Sequence, residues 1–261
     1  MMRPLTAFRG TFIYELLMQI RRPSLWMAFL LVGVFVFRAF GGLYLSGQIP
    51  TGAMALGNWS NFLALFYPLA CGLLLADRFP RDQKYHVTEI LATTPSGLGA
   101  RLWGKYAGAT VATLIPVFAL YLGGALVIMQ YHHDFAALPL ALALFVANMG
   151  TAVLFVAAFS IACTTVMWPV LYQFLFVGYW FWGNFLNPRL GIPTFNGTLL
   201  TPSGHYIVAG LFPSTALARS GFHEATASAA QGVTSLVLLL GCAALAQLAA
   251  WGWLRWRQQR Q

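Results

Sequence analysis

The sequence has little charge. Only 8% of its 261 residues are Asp, Glu, Lys or Arg, and just six are acidic. A soluble domain carries about a quarter charged residues. A chain with 59% hydrophobic residues and so few charges would present aggregating patches to water. Cysteine is scarce as well. Cys71, Cys163 and Cys242 stand far apart and form no CxxC, which excludes a disulfide framework or a cysteine zinc site. Catalytic signatures are missing. There is no GxxxxGK[ST] loop to cradle nucleotide phosphates, no HExxH and no GxSxG elbow. His132, His133 and Asp134 share a short loop but lack further ligands at workable spacing for a metal. The long apolar runs contain no acidic residue. The intramembrane carboxylates that relay protons or couple ions in pumps and secondary transporters are therefore absent.

What is present is a series of apolar runs long enough for a bilayer, which needs about 20 residues per helical span. Six are expected: 25–45, 57–76, 104–129, 138–163, 169–186 and 232–254, the third extending an interfacial helix that begins near Leu98. Pro139 and Pro169 begin two of them, where a missing N–H costs little. Pro68 and Pro116 fall inside two others and are expected to kink them. Ahead of the first span, Leu5, Phe8, Phe12, Ile13, Leu16, Leu17 and Ile20 recur at helical spacing. Arg9, Glu15 and Gln19 lie off that stripe. This predicts an amphipathic helix over 5–20 lying in the membrane interface, retained and not cleaved as a signal peptide. Ser160 and Ser235 sit within spans, where hydroxyls chiefly bond between helices.

The net charge of +9 reports orientation, because Lys and Arg gather at the ends of the runs. Twelve of the fifteen fall in three groups that share one side when six spans are counted: before the first span, between the second and third, and after the sixth. The positive-inside rule puts both termini in the cytoplasm. The expected fold class is an all-α integral membrane protein of six transmembrane helices preceded by an interfacial helix. Trp103, Tyr106 and Trp168 read as inner boundary aromatics, and Tyr131, Trp180 and Trp182 as outer ones. No basic face with interleaved aromatics occurs, so nucleic acid is excluded as a partner.

Two connections are long. The external one, 187–231, is rich in Gly, Pro, Ser and Thr and contains an apolar stretch from His205 to Leu217, too short to span. The cytoplasmic one carries most of the loop charge. Its residues 81–92 suit a short helix, with Asp82 in the first turn and Pro95 stopping it. Arg81, Asp82, Lys84, Tyr85 and Glu89 offer a mixed contact surface there. Arg38, in the outer half of the first span, either snorkels to the interface or faces a polar cavity. The aromatic run containing Phe174 and Tyr179 either lines a hydrophobic cargo path or faces lipid. Gly104, Gly108 and Ala112 make a small-residue stripe that admits a close helix, from the same subunit or from a second one.

These features together resemble the membrane subunits of type 2 ABC exporters. The likeness rests on the helix before the first span, the charged segment running into Pro95-Ser96, Gly104-Lys105 opening the third span, and the long external segment before the sixth. The stretch EILATTPSGLGARLWGKYAGA is its most specific part. The resemblance implies a dimer, with a second permease subunit identical or different, in a bacterial cytoplasmic membrane. It implies separate ABC ATPase subunits that hold ATP and Mg, no cofactor on this chain, and residues 81–92 as the coupling helix seated on the ATPase. The alternatives are a non-transporting assembly subunit of a membrane complex and an intramembrane enzyme drawing on Ser160, Ser235, His132 or His133.

Overall fold

The computed structural model describes residues 4–45, 49, 51–78, 97–186, 191–214 and 227–260, with residues 39–45 described as backbone only. Every regular element among the described residues is helical. They are α1 (Pro4–Ile20), α2 (Pro23–Leu45), α3 (Gly52–Leu75), α4 (Leu98–Tyr131), α5 (Phe135–Cys163), α6 (Pro169–Asn184), α7 (His205–Leu211) and α8 (Ala229–Gln259).

Local chemistry sets the ends. Thr51 caps α3, its hydroxyl accepting from the Met54 N–H at 3.3 Å. Ser228 and Gln231 form a reciprocal capping box at the start of α8. Pro23 begins α2 after a break that bends α1 and α2 by 60°. The Trp26 indole donates to Ile20 O at 2.8 Å across this break. Helix α5 is not uniform. It opens with a single 3-10 turn, and residues Phe145–Gly150 wind as a π-helix between two α-helical parts.

Four helices, α3, α4, α5 and α8, are long and apolar enough to cross a membrane. The bent α1–α2 pair counts as a fifth candidate. The chain therefore has the build of an integral membrane protein. Helix α6, with 16 residues, is about 24 Å long, shorter than a hydrocarbon core of about 30 Å.

Helices α3 and α5 form the centre. Side chains tie neighbours to it by donating to backbone carbonyls, which keep a free lone pair beyond their helical bond. Trp180 on α6 donates to Leu65 O at 2.7 Å, and Gln173 to Leu73 O at 3.1 Å. Tyr106 on α4 donates to Leu154 O at 3.0 Å, Tyr121 to Ala141 O at 2.8 Å, and Gln247 on α8 to Ala158 O at 2.9 Å. Tyr106 and Trp180 are thus buried helix ties and not the boundary aromatics expected from their positions; Trp168 is exposed. Ser160 shares a 2.8 Å hydrogen bond with the Tyr172 hydroxyl, and Ser235 donates to Leu199 O at 2.8 Å. Both serines serve packing.

Residues 191–214 fold back onto the helix ends. Trp182 donates to Pro193 O at 2.9 Å, Asn196 to Leu186 O at 3.1 Å, and the Ser203 N–H to Asn184 Oδ1 at 3.0 Å. Within the expected apolar stretch, His205–Leu211 form the short, half-buried helix α7. It crosses α8 closely: a Cβ on Gly210 would sit 3.0 Å from Gly232 Cα.

The close seam between α1 and α4 is made by the predicted small-residue stripe. A Cβ on Gly108 would meet Phe12 O at 2.6 Å and Glu15 Cβ at 3.0 Å. One on Gly123 of the same helix would meet nothing within 4 Å. Gly108→Ala should therefore lower the stability of the purified chain by about 1–3 kcal/mol. Gly123→Ala should be neutral or stabilising by up to about 1 kcal/mol. Denaturation in mild detergent compares the two, and equal effects would show that α1 does not sit on this seam.

Candidate functional site

Helix α1 is oriented differently from the sequence expectation. Leu5, Ile13 and Leu17 are exposed, while Glu15 and Gln19 are only 3% and 2% exposed. The face that meets α4 is Phe8, Thr11, Phe12, Glu15 and Leu16, laid over Gly104 and Gly108. The predicted stripe is real, but part of it looks outward, as a lipid-facing surface does. The polar pair was expected to face away from the apolar environment and instead faces the protein. Arg9 remains exposed, as expected.

This inward turn creates a buried charge cluster. Glu15 Oε1 lies 3.2 Å from Arg78 Nη1, with both side chains almost fully buried. Gln19, one turn along, donates from Nε2 to Glu15 Oε1 at 3.4 Å. Lys105 of α4, 6% exposed, donates from Nζ to the Arg78 carbonyl at 2.8 Å. Removing three charged groups from water is expensive unless each is paired and hydrogen-bonded. The cluster offsets part of that cost with the Glu15–Arg78 ion pair and the Lys105 hydrogen bond, its members coming from α1, the residues just beyond α3, and α4.

Its location gives it meaning. Arg78 stands three residues past the end of α3, and Lys105 lies in the first turns of α4. The cluster therefore joins the C-terminal end of α3 to α1 and to the start of α4. The C-terminal part of α8 is close by, with Trp251 Nε1 3.4 Å from a Cβ built on Gly99. Beyond Trp251, Arg255 and Arg260 rest over the Trp251 and Trp256 rings at 5.5 and 4.0 Å. Two of the basic groups seen in the sequence, the one with Arg78 and Lys105 and the one in the last turns of α8, thus lie at the same end of the bundle.

Of the predicted site residues, Arg81, Asp82, Lys84, Tyr85 and Glu89, with the whole coupling helix 81–92, lie outside the described residues. Phe174 and Tyr179 share an open apolar recess of about 460 Å³, lined among the described residues by α6. Arg38 is exposed on α2 and does not line it. Among the described residues no three His, Cys, Asp or Glu side chains gather to hold a metal, and the three cysteines are free.

Glu15 and Gln19 are functional candidates that periodicity missed. One signal was available. A single acid in an apolar N-terminal helix, in a chain with six acids, has an obvious partner only in a buried cation. No protein-family model matches the chain, and no curated protein matches it.

Removing one member of a buried pair strands the other charge at a cost of about 3–5 kcal/mol. Glu15→Gln and Arg78→Met should each destabilise strongly, and the double variant should cost less than their sum by about 1–3 kcal/mol. A thermodynamic cycle in detergent measures this coupling. Additive costs would show that the two side chains do not act as a pair.

Proposed function

We propose that this chain is the membrane subunit of an ATP-driven exporter of the type 2 ABC class. In this reading residues 81–92 seat on a separate cytoplasmic ATPase, which carries ATP and Mg. Six spans, with α6 as the short fifth, and an N-terminal helix at the membrane surface make one permease. Two permease subunits pair to form the cargo pathway in a bacterial cytoplasmic membrane, with both termini on the ATPase side.

The observation that supports this best is the Glu15–Arg78–Lys105 cluster. A partner that pushes on residues 79–96 must transmit that displacement to the helices. A flexible root would absorb it. Here the root is held by an ion pair to α1 and a charge-assisted hydrogen bond from α4. Displacement of the loop would carry α1, α3 and α4 together. No Asp or Glu falls within the six expected spans, which supports an energy source outside the chain. The structural hydrogen bonds of Ser160 and Ser235 speak against a serine enzyme.

The test uses the tagged chain expressed from its own genomic neighbourhood, so that any ATPase subunit encoded there can co-purify. The chain alone should hydrolyse no ATP, and the co-purified complex should. Arg81→Glu combined with Glu89→Lys should reduce ATPase recovery at least about tenfold, the scale of 1.4 kcal/mol, with membrane insertion unchanged. Transport driven by an ion gradient without an ATPase would refute the reading. Stable association without any cargo flux would favour the assembly-subunit alternative.

A further inference from the structure

A second polar cluster lies at the junction of α5 with the folded-back segment, away from the Glu15 site. Asn148 sits in the π-helical part of α5 and is fully buried. Its Nδ2 donates to Ser60 Oγ of α3 at 3.2 Å. Its Oδ1 has no hydrogen-bond partner among the described residues. The segment before α7 closes over this oxygen. Gly204 takes a left-handed φ of 73°, and a Cβ there would lie 2.6 Å from Asn148 Oδ1, so only glycine permits the approach. On either side of Gly204, Ser203 is 0% and His205 6% exposed. Ser203 Oγ and His205 Nδ1 likewise lack partners among the described residues.

Three buried polar atoms without partners at one junction are unusual, since such groups are normally satisfied by protein or ordered water. Their chemistry defines what completes them. Asn148 Oδ1 only accepts. Ser203 Oγ donates or accepts. The His205 ring is neutral, its pKa pushed down to about 4 by burial, and a neutral Nδ1 accepts or donates according to tautomer. No group of His, Cys, Asp or Glu suited to a metal occurs among the described residues. A hydroxyl both donates and accepts and carries no charge.

We propose that Asn148 Oδ1, Ser203 Oγ and His205 Nδ1 form a buried binding site for a neutral hydroxyl group. Water and a hydroxylated solute offer the same chemistry to this site. Binding would pin the folded-back segment to the π-turn of α5. The site is independent of the transport reading, because it needs neither an ATPase nor a cargo.

The experiment uses the full chain, labelled with ¹⁵N-histidine, in phospholipid nanodiscs. The His205 ring signals are assigned by their loss in His205→Gln. Magnetisation transfer from water to those nitrogens is then followed with and without methyl α-D-glucoside as the hydroxylated probe. Rapid transfer unchanged by the glucoside identifies water as the occupant. Rapid transfer that the glucoside displaces, with a shift of the His205 signal, identifies a site open to hydroxylated solutes. Either supports the proposal, provided Asn148→Leu or Ser203→Ala slows the transfer at least about threefold by removing a water partner. Should one variant fail to fold, the other decides. No transfer and no glucoside shift would mean a dry, closed junction and overturn the proposal, as would transfer indifferent to both substitutions.

Discussion

The buried ion pair between Glu15 and Arg78 organises the described end of the bundle. Neither group could remain charged in an apolar interior alone, because the desolvation cost is several kcal/mol per ion. Each therefore requires the element that carries the other. Glu15 cannot sit inward unless α1 lies against α4, and α1 cannot approach unless Gly104 and Gly108 leave room. Arg78 meets Glu15 only where the chain leaves α3, and Lys105 binds the Arg78 carbonyl there. One electrostatic constraint thus fixes the placement of α1, α3 and α4.

The remaining packing follows from the scarcity of charge. Apolar side chains gain little from one another in a bilayer, where lipid tails are equally apolar, so close approach and hydrogen bonds must hold the helices together. Close approach comes at glycines: Gly72 accepts the ring of Phe176, and Gly124 the indole of Trp59. The hydrogen bonds come from isolated polar side chains reaching backbone carbonyls, as Trp180, Gln173, Tyr106 and Gln247 do. These ties do not depend on salt or on long-range charge, which suits a low-dielectric medium.

Much of the helical layout was legible in the sequence, because run length and proline position are direct physical signals. The expected run 138–163 coincides with the α-helical and π-helical parts of α5, and 169–186 contains α6, which is too short to count among the membrane-crossing candidates. Helices α3 and α8 begin ahead of their expected spans, because turns flanking an apolar run still form helix when a cap such as Thr51 or Ser228 is available, whereas α4 begins at Leu98 as expected. The facing of α1 was misread for a definite reason. Periodicity identifies a stripe but not which side is solvent, and in a membrane protein the outward side is apolar too. Tyr106 and Trp180 were misread because an aromatic near a span end resembles a boundary anchor until its carbonyl partner is known. The π-turn that presents Asn148 leaves no sequence pattern, since it depends on the contacts around it. Gly104 and Gly108 were read correctly as a close seam, though spacing alone left open whether the partner was α1 or a second subunit.

The central claim is that the Glu15–Arg78 pair holds α1 on the α4 seam. Cysteine cross-linking in native membranes tests it directly, in a chain whose three own cysteines are replaced by alanine. Thr11 Cβ lies 2.9 Å from a Cβ built on Gly104, so a small relaxation reaches the about 3.8 Å of a disulfide. Thr11→Cys with Gly104→Cys should cross-link rapidly on mild oxidation, whereas Arg9→Cys with Gly104→Cys should not. Adding Arg78→Met to the first pair should slow its cross-linking severalfold. Equal rates for the two cysteine pairs, or a rate that ignores Arg78→Met, would contradict the account.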